Sequence, residues 1–184
     1  MLIVITGPSG VGKTTIINSL LKAEPKLRYS VSLTTRKPRP SEVDGVDYRF
    51  ISSKEFLERV NNDEFAEWSE VYGKYYGRLK SDLDELSYSG DVVLGIDMQG
   101  ALKLLKIYPE GVFIFILPKS ESALESQLRN RGTDDEDTIR KRLNAAVKEI
   151  DMAGYFKYQI INNKVCTSVK EIQSILNTTK KETT

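Results

Sequence analysis

The segment GPSGVGKT, residues 7–14, constrains this chain more than any other part of the sequence. It matches the pattern G-x-x-x-x-G-K-[S/T] and directly follows MLIVIT, a nearly continuous apolar and β-branched run typical of a buried strand. The next residues, TTIINSLLKAE, space their apolar side chains as a helix does. A strand, a glycine-rich turn and a helix in this order predict a phosphate-binding loop, in which backbone N–H groups and the helix N-terminus face phosphate oxygens.

The loop predicts roles for individual residues. We expect Lys13 to reach the terminal phosphates of a nucleoside triphosphate, and the Thr14 hydroxyl to ligate Mg²⁺. The residues predicted to bind this nucleotide are Gly7, Pro8, Ser9, Gly10, Val11, Gly12, Lys13 and Thr14.

Composition excludes several kinds of active site. The 184 residues suggest a single domain, and histidine is absent, so neither a Ser-His-Asp triad nor a histidine metal site is available. The single cysteine, Cys166, excludes an intrachain disulfide and a four-cysteine zinc site, and we expect it to be buried or half-buried. Any metal ion therefore needs oxygen ligands, which favours Mg²⁺.

Charge and hydropathy bear on partners and location. The net charge is +1, from 27 basic and 26 acidic residues, which argues against non-specific binding to nucleic acid. No apolar run approaches the ~20 residues of a membrane helix, and the first residues lack the cationic stretch of a secretion signal. We therefore expect a cytoplasmic protein with small-molecule ligands, no nucleic acid and no membrane partner. No pattern decides between a monomer and a homo-oligomer.

Most of the remaining chain alternates buried strands with amphipathic helices. Strands are predicted at 92–97, 112–117 and 158–162. Helices are predicted at 99–107, 120–131, 136–153 and 168–176. This alternation predicts a doubly wound α/β fold, a parallel sheet flanked by helices on both faces.

Two segments interrupt the alternation. Residues 32 to about 80 hold short alternating pieces, a small helix at KEFLERVNN and the aromatic-rich YGKYYG, which predicts an inserted, mainly antiparallel subdomain. Residues 129–142, RNRGTDDEDTIRKR, contain a single apolar residue, which predicts a solvated, mobile segment between two helices. We expect the tail TTKKETT to be frayed.

The first of these segments begins with SLTTRKPRPSEVDGVDY, residues 32–48. Arg36 and Arg39 lie three residues apart, and Pro38 and Pro40 stiffen the loop that carries them. Guanidinium groups are planar, permanently charged and suited to phosphate oxygens, so the pair predicts a clamp for a second phosphate-bearing substrate. On composition alone, an exposed basic loop is an equally good interpretation.

The sequence resembles the guanylate kinase family from residue 3 to about residue 163. The motifs that carry the resemblance are GPSGVGKTT, SVSLTTRKPRPSEVDGVDYRF, EFAEWSEVYGKYYG, DMQG and RGTDDEDTIRKRL. The resemblance implies a P-loop NTPase core at about 1–31, 82–128 and 143–184, a GMP-binding subdomain at about 32–81 and a helical lid at about 129–142.

The resemblance also implies a reaction. In this family ATP, bound with Mg²⁺, donates its γ-phosphate to GMP, giving ADP and GDP, and we expect dGMP to be accepted as well. The residues expected to bind GMP are Ser32, Arg36, Arg39, Tyr48, Glu67, Tyr76 and Asp97. The residues expected to act in catalysis are Lys13, Arg36, Arg131 and Arg142, with Thr14 as the metal ligand.

The chemistry of these side chains supports the roles that the resemblance implies. Arg36, Arg39 and Tyr48 would hold the GMP phosphate, and Ser32 and Glu67 would face the base. Guanine presents N1–H and N2–H₂ side by side, and an ionised carboxylate has only acceptors, so it can take both hydrogen bonds. Lid arginines would close over the phosphates and stabilise the charge that develops in phosphoryl transfer.

Two positions depart from the family pattern. Arg78 stands where a serine or threonine usually contacts the guanine carbonyl, and Gly95 stands where a second aspartate is common. Arginine can also donate to a carbonyl oxygen, so we expect guanine still to be read, with altered geometry. An inactive guanylate-kinase-like binding module and a nucleoside monophosphate kinase of relaxed base preference stay as alternatives. A GTPase is disfavoured because Cys166 replaces the aspartate that would hold guanine in NKVC.

Overall fold

The computed structural model describes residues 1–40, 42–88, 90–130 and 135–182. Its strands are β1 (Leu2–Thr6), β2 (Arg28–Tyr29), β3 (Leu33–Thr34), β4 (Arg49–Phe50), β5 (Phe65–Val71), β6 (Lys74–Leu79), β7 (Val92–Gly95), β8 (Val112–Pro118) and β9 (Tyr158–Asn162). Its helices are α1 (Lys13–Ala23), α2 (Ser53–Asn61), α3 (Lys80–Tyr88), α4 (Met98–Ile107), α5 (Glu121–Arg129), α6 (Glu136–Asp151) and α7 (Val165–Glu182), with a 3₁₀ turn at Ala153–Tyr155. Within these described ranges, no helix combines the length and apolar character needed to cross a bilayer.

The centre of the molecule is a five-stranded sheet in the order β2-β7-β1-β8-β9, and all its neighbouring strands are parallel. Successive side chains of a strand point to opposite faces. Ile3 and Ile5 of β1 therefore pack with Ile16 of α1 on one face, while Val4 packs with Leu104 of α4 on the other. Both faces are covered by helices, and the predicted doubly wound α/β fold is confirmed.

The parallel arrangement brings the carboxyl ends of β1 and β7 to the same edge of the sheet. The phosphate loop follows β1 at this edge, and Asp97 follows β7 as the N-cap of α4. In open α/β sheets this edge is where ligands bind. The topology therefore places two of the predicted site segments next to each other.

A second, four-stranded sheet has the order β4-β3-β6-β5. β3 pairs with β6 and β6 pairs with β5 in antiparallel fashion, while β3 and β4 are parallel. Phe56 of α2 stacks on Phe65 of β5 with ring centroids 4.4 Å apart, and Leu33 and Leu79 complete this small core. The predicted inserted, mainly antiparallel subdomain is confirmed, and it has its own apolar centre.

Several local expectations were wrong. The tail TTKKETT was expected to fray, but its residues 178–182 continue α7, and Lys180 lies 2.6 Å from a carboxylate oxygen of Asp91. Residues 183 and 184 of this tail lie outside the described residues. Helix α3 was not predicted at all, and Cys166 is exposed rather than buried. Of the predicted lid, 129–142, residues 131–134 lie outside the described residues, and so does the predicted catalytic residue Arg131.

Candidate active site

The phosphate loop crosses from β1 to α1 with a backbone that requires glycine. Gly7 has φ +140°, and a Cβ there would lie 2.3 Å from the backbone oxygen of Ile116. Gly12, the N-cap of α1, has φ +94°. The Lys13 ammonium donates to the carbonyl oxygens of Gly7 (2.5 Å) and Pro8 (3.1 Å), so its side chain bends back over the loop. The Lys13 charge therefore lies directly beside the backbone of the loop.

A cavity of about 210 Å³ opens beside this loop. Part of its lining comes from the phosphate loop and the first turn of α1, namely Gly7, Ser9, Gly10, Gly12, Lys13, Thr14 and Thr15. All the residues predicted to bind GMP also line it, namely Ser32, Arg36, Arg39, Tyr48, Glu67, Tyr76 and Asp97. The structure therefore brings both predicted sets to one cavity, although Pro8 and Val11 lie outside its lining and Val11 is buried.

Glu42, a residue that was not predicted from the sequence, forms hydrogen bonds with both Arg36 and Arg39. Glu42 accepts two hydrogen bonds of 2.6 Å from the Arg36 guanidinium, one to each carboxylate oxygen. It also accepts a hydrogen bond of 2.8 Å from the backbone N–H of Arg39. Burial alone would raise the pKa of Glu42, but the bonds from Arg36 and Arg39 outweigh it and lower the pKa. Glu42 is thus charged, and it binds both arginines, which line the cavity.

Aromatic rings flank the same pair. The Arg36 guanidinium carbon lies 4.7 Å from the centre of the Tyr48 ring, and the Tyr48 and Tyr76 rings meet edge to face at 6.1 Å. Stacking of a guanidinium on an aromatic ring restricts its motion. Arginines restricted in this way lose less entropy when they bind an anion.

At the other end of the cavity lies a buried carboxylate. Glu67 on β5 is 4% exposed, and its carboxylate packs so closely against α4 that a Cβ on Gly100 would lie 2.4 Å from it. Burial raises the pKa of Glu67 to about 7; Asp97 also raises it, while Arg78 and Lys103 lower it. Such a group binds a donor-rich ligand edge strongly, because ligand hydrogen bonds replace the water that burial has removed.

Asp97 joins the two sheets at the cavity. One carboxylate oxygen accepts from the backbone N–H groups of Gln99 (2.9 Å) and Gly100 (3.1 Å), and the other accepts a short hydrogen bond from the Ser69 hydroxyl. The first pair caps α4, and the second fixes β5 against it. Asp97 therefore has a structural role beside any role toward a ligand.

Helix α6 supplies the remaining wall. The predicted catalytic residue Arg142 is half-buried on α6, and its guanidinium lies 5.2 Å from the centre of the Tyr72 ring, at the tip of the β5–β6 hairpin. Glu149, two turns further along the same helix, lines the cavity. Burial raises the pKa of Glu149, with Lys13 acting against this and Asp97 adding to it. The sequence analysis missed Glu149, although its seven-residue spacing from Arg142 indicates a shared helix face.

Comparisons with known proteins agree with this geometry. The family model described as guanylate kinase matches residues 1–179. A guanylate kinase of Carboxydothermus hydrogenoformans is 48% identical over 181 residues, which cover 98% of this chain and 89% of that protein. One of Clostridioides difficile is 46% identical, with 98% and 88% covered.

The chain belongs to the guanylate kinase family. A solved guanylate kinase from Anaplasma phagocytophilum superposes with a TM-score of 0.78 at 33% identity, covering 97% of this chain and 85% of that one. A shikimate kinase from Bacteroides thetaiotaomicron matches with a TM-score of 0.55 at 15% identity, covering 96% and 98%, and shares the fold alone. Guanylate kinase activity is the activity of the family, and near full-length similarity supports an enzyme over an inactive binding module.

As a guanylate kinase, the chain departs from the family pattern at two residues near the cavity, Arg78 and Gly95. Arg78 has no exposed surface, so in this conformation it cannot donate directly to a ligand, contrary to the expectation from its position. Gly95 lines the cavity, and a Cβ there would lie 2.5 Å from the end of the Ile17 side chain. The position usually held by a second aspartate is thus partly covered by Ile17.

Proposed function

We propose that this cavity is where the chain transfers the γ-phosphate of ATP to GMP, giving ADP and GDP. The observation that carries the proposal is that one cavity is lined both by the nucleotide loop and by all seven residues predicted to bind GMP. A GMP phosphate oxygen attacks the γ-phosphorus, and the bond from that phosphorus to the β-phosphate oxygen breaks. The GMP phosphate oxygen is already a competent nucleophile. The reaction therefore needs positioning and charge neutralisation rather than a general base.

The donor side is assigned to the phosphate loop. Backbone N–H groups of residues 7–14 and the N-terminus of α1 would bind the ATP phosphates, and Lys13 would turn from its carbonyl partners toward the terminal phosphates. The described residues contain no cluster of three metal-binding side chains, which fits a Mg²⁺ ion brought in with ATP and bound by the Thr14 hydroxyl. Such an ion neutralises phosphate charge during transfer.

The acceptor side is assigned to the inserted subdomain. Arg36, Arg39 and Tyr48, with Tyr76, would hold the GMP phosphate, and Ser32, Glu67 and Asp97 would surround the base. Ionised Glu67 would accept from N1–H and N2–H₂ of guanine, whereas adenine presents an acceptor at N1. Recognition through hydrogen bonds of this kind discriminates between bases by roughly 10⁴-fold or more in kcat/KM. dGMP shares every one of these groups, so we expect it to be accepted.

Closure of the lid over the phosphates completes the proposal. Arg142 on α6 contacts the ring of Tyr72, which lines the cavity, and Arg142 and Arg131 are assigned this task from the family resemblance. Exclusion of water matters because an open site would let water accept the phosphoryl group. We also propose a cytoplasmic location, where both nucleotides are present.

A coupled ADP-release assay tests the proposal. Purified protein is given ATP, Mg²⁺ and, in separate reactions, GMP, dGMP, AMP, CMP and UMP. We expect turnover with GMP and dGMP alone. Turnover with several bases would indicate a nucleoside monophosphate kinase of relaxed base preference, and no turnover with any of them would favour the inactive binding module.

The variant Lys13→Ala tests the donor side in the same assay. Loss of the lysine charge removes a contact made to the transferring phosphate, so we expect kcat to fall about 100-fold or more. Circular dichroism and thermal melting should stay close to the parent, because Lys13 is half-buried at the cavity and belongs to none of the apolar core clusters. Retained transfer would contradict the assignment of the phosphate loop.

A further inference from the structure

Arg78 is the largest of the fully buried side chains in this protein, with 0% of its surface exposed. One guanidinium nitrogen, Nη2, donates to the hydroxyl oxygen of Ser32. Its Nε and Nη1 atoms are buried and have no hydrogen-bond partner among the described residues. A guanidinium cannot lose its proton at any ordinary pH, so a permanent positive charge lies inside the subdomain.

The position of this charge is specific. Arg78 on β6 lies opposite Glu67 on β5 in the strand register, and Ser32 and Glu67 both line the cavity. Arg78 itself lies behind this wall, and Tyr29 and Tyr48 are also close enough to interact with its charge. A buried unpaired charge is costly, so its placement next to the two base-facing side chains needs a reason.

The hydrogen bond to Ser32 determines what that hydroxyl can do. Arginine has donors only, so Ser32 must accept, and its own hydrogen then points away from the guanidinium. Ser32 is 4% exposed and meets the cavity on its remaining side, so the hydroxyl is presented there as a donor. The positive charge of Arg78 simultaneously favours the ionised form of Glu67, which has acceptors only.

We propose that Arg78 is a positioning residue that fixes the hydrogen-bond polarity of the base-binding wall, with Ser32 as donor and Glu67 as acceptor. A donor beside an acceptor is complementary to an acceptor beside a donor, which is the O6 and N1–H edge of a 6-oxopurine. Adenine presents the reverse, an N6 amine beside an N1 acceptor. The inference rests on the proposed assignment of this wall to the base of GMP.

Two substitutions separate this role from a purely structural one. Arg78→Met keeps a long side chain and removes the charge and the donors, whereas Arg78→Lys keeps the charge and one donor group. For Arg78→Met we expect the ratio of kcat/KM for GMP over AMP to fall about tenfold or more, mainly through KM for GMP. For Arg78→Lys we expect an intermediate ratio. KM for ATP should not change in either variant, since the donor site lies on the other sheet.

The pH dependence of KM for GMP gives a second readout. The charged groups that face Glu67 are Arg78 from β6 and Asp97 and Lys103 from the α4 side. Protonated Glu67 keeps one acceptor oxygen but cannot accept from N1–H and N2–H₂ together, so KM should rise as the pH falls. Loss of a positive neighbour stabilises the protonated carboxyl, so this rise should occur at higher pH in Arg78→Met and at nearly the parental pH in Arg78→Lys.

Ser32→Ala provides a test that does not depend on the folding of Arg78→Met. It should lower the GMP-over-AMP ratio without moving the pH profile, and the double variant Ser32→Ala, Arg78→Lys should show less than additive loss. The inference would be overturned if a folded Arg78→Met or Arg78→Lys protein kept the parental ratio of kcat/KM for GMP over AMP and the parental pH dependence of KM for GMP. Absence of GMP turnover in the parent protein would instead overturn the proposed function.

Discussion

Arg39 and Arg129 are identical side chains in contrasting surroundings. Arg39 lines the cavity beside Glu42, while Arg129 is 44% exposed on the surface and pairs with Glu125 and Glu136. We expect Arg39→Ala to raise KM for GMP about tenfold or more and to lower kcat, because a charge-assisted contact to phosphate is lost. Arg129→Ala should leave both constants unchanged. Steady-state kinetics that do not distinguish the two variants would remove Arg39 from the site.

Glu67 should make the stability of the ligand-free protein depend on pH. Its pKa is about 7 when folded and 4.5 as the ordinary value, so the folded protein binds the proton more tightly. Stability from this group is therefore greatest below about pH 4.5 and falls as the pH rises toward 7.

The isosteric Glu67→Gln keeps the neutral form at every pH. We expect it to raise the unfolding free energy at pH 8 by up to about 3 kcal/mol, with little effect near pH 4.5. Urea unfolding at both pH values measures this difference. Equal effects at the two pH values would mean that the Glu67 pKa is not raised.

At this scale the residues predicted to bind GMP line one cavity, but the side chains that contact them were not predicted from the sequence. The residues of GPSGVGKT and of the arginine segment carry their chemistry in local patterns. Glu42 was overlooked because it is a single acidic residue in a loop that carries both charges. Glu149 was overlooked because it lies 136 residues after Lys13 in the sequence. The burial of Arg78 depends on strand register and on distant tyrosines, which no local pattern encodes.

Among the elements, the last turn of α7 makes a contact that sequence patterns do not show. Asp91 lies 2.6 Å from the Lys180 ammonium and 3.1 Å from the amino group of Met1. Burial would raise the pKa of Asp91, but these two cations outweigh it and lower the pKa. The tail was expected to fray because its composition is polar, yet its last turn is held at the edge of the central sheet.

Replacement of this carboxylate measures the contact. We expect Asp91→Asn to cost under about 1 kcal/mol at pH 7, since these groups are partly exposed and screened by water. The lowered pKa means that the stabilisation exists above the ordinary pKa of Asp91 and disappears as the pH falls through the folded value. Thermal melts at low and high salt check it, and a loss that salt leaves unchanged would argue against an ionic contact.

The β5–β6 hairpin reaches α6 through Tyr72. Tyr72 and Gly73 have φ of +51° and +70°, the geometry of the tight turns that favour hairpins, and the Tyr72 ring meets Arg142 at 5.2 Å. We expect Tyr72→Ala to lower kcat about two- to fivefold by releasing Arg142, and Tyr72→Phe to retain activity because the ring remains. The two variants share the same backbone strain. Equal kcat values for both would show that the ring contact does not matter.

For the whole molecule, the parallel core was predictable and the way the two sheets meet was not. Strands β1, β8 and β9 are five to seven residues long and read as apolar runs, whereas β2, β3 and β4 have two residues each, too few to show a period. Strand β5 of the second sheet meets helix α4 of the core through pairs such as Ser69 with Asp97 and the Trp68 carbonyl with Lys103. Pairs of this kind depend on three-dimensional closure of the chain, so only the structure reveals them.

The bidentate contact of Glu42 with Arg36 has a consequence for selectivity. The two guanidinium groups carry two positive charges, and the carboxylate cancels one of them before any substrate arrives. A free inorganic phosphate ion meets this half-neutralised clamp alone and gains little from it. In the proposed complex GMP gains a second hold, because its base forms hydrogen bonds with Glu67 and Ser32 in the same cavity. We therefore expect inorganic phosphate to compete weakly with GMP, because only a ligand that satisfies both ends of the cavity binds tightly.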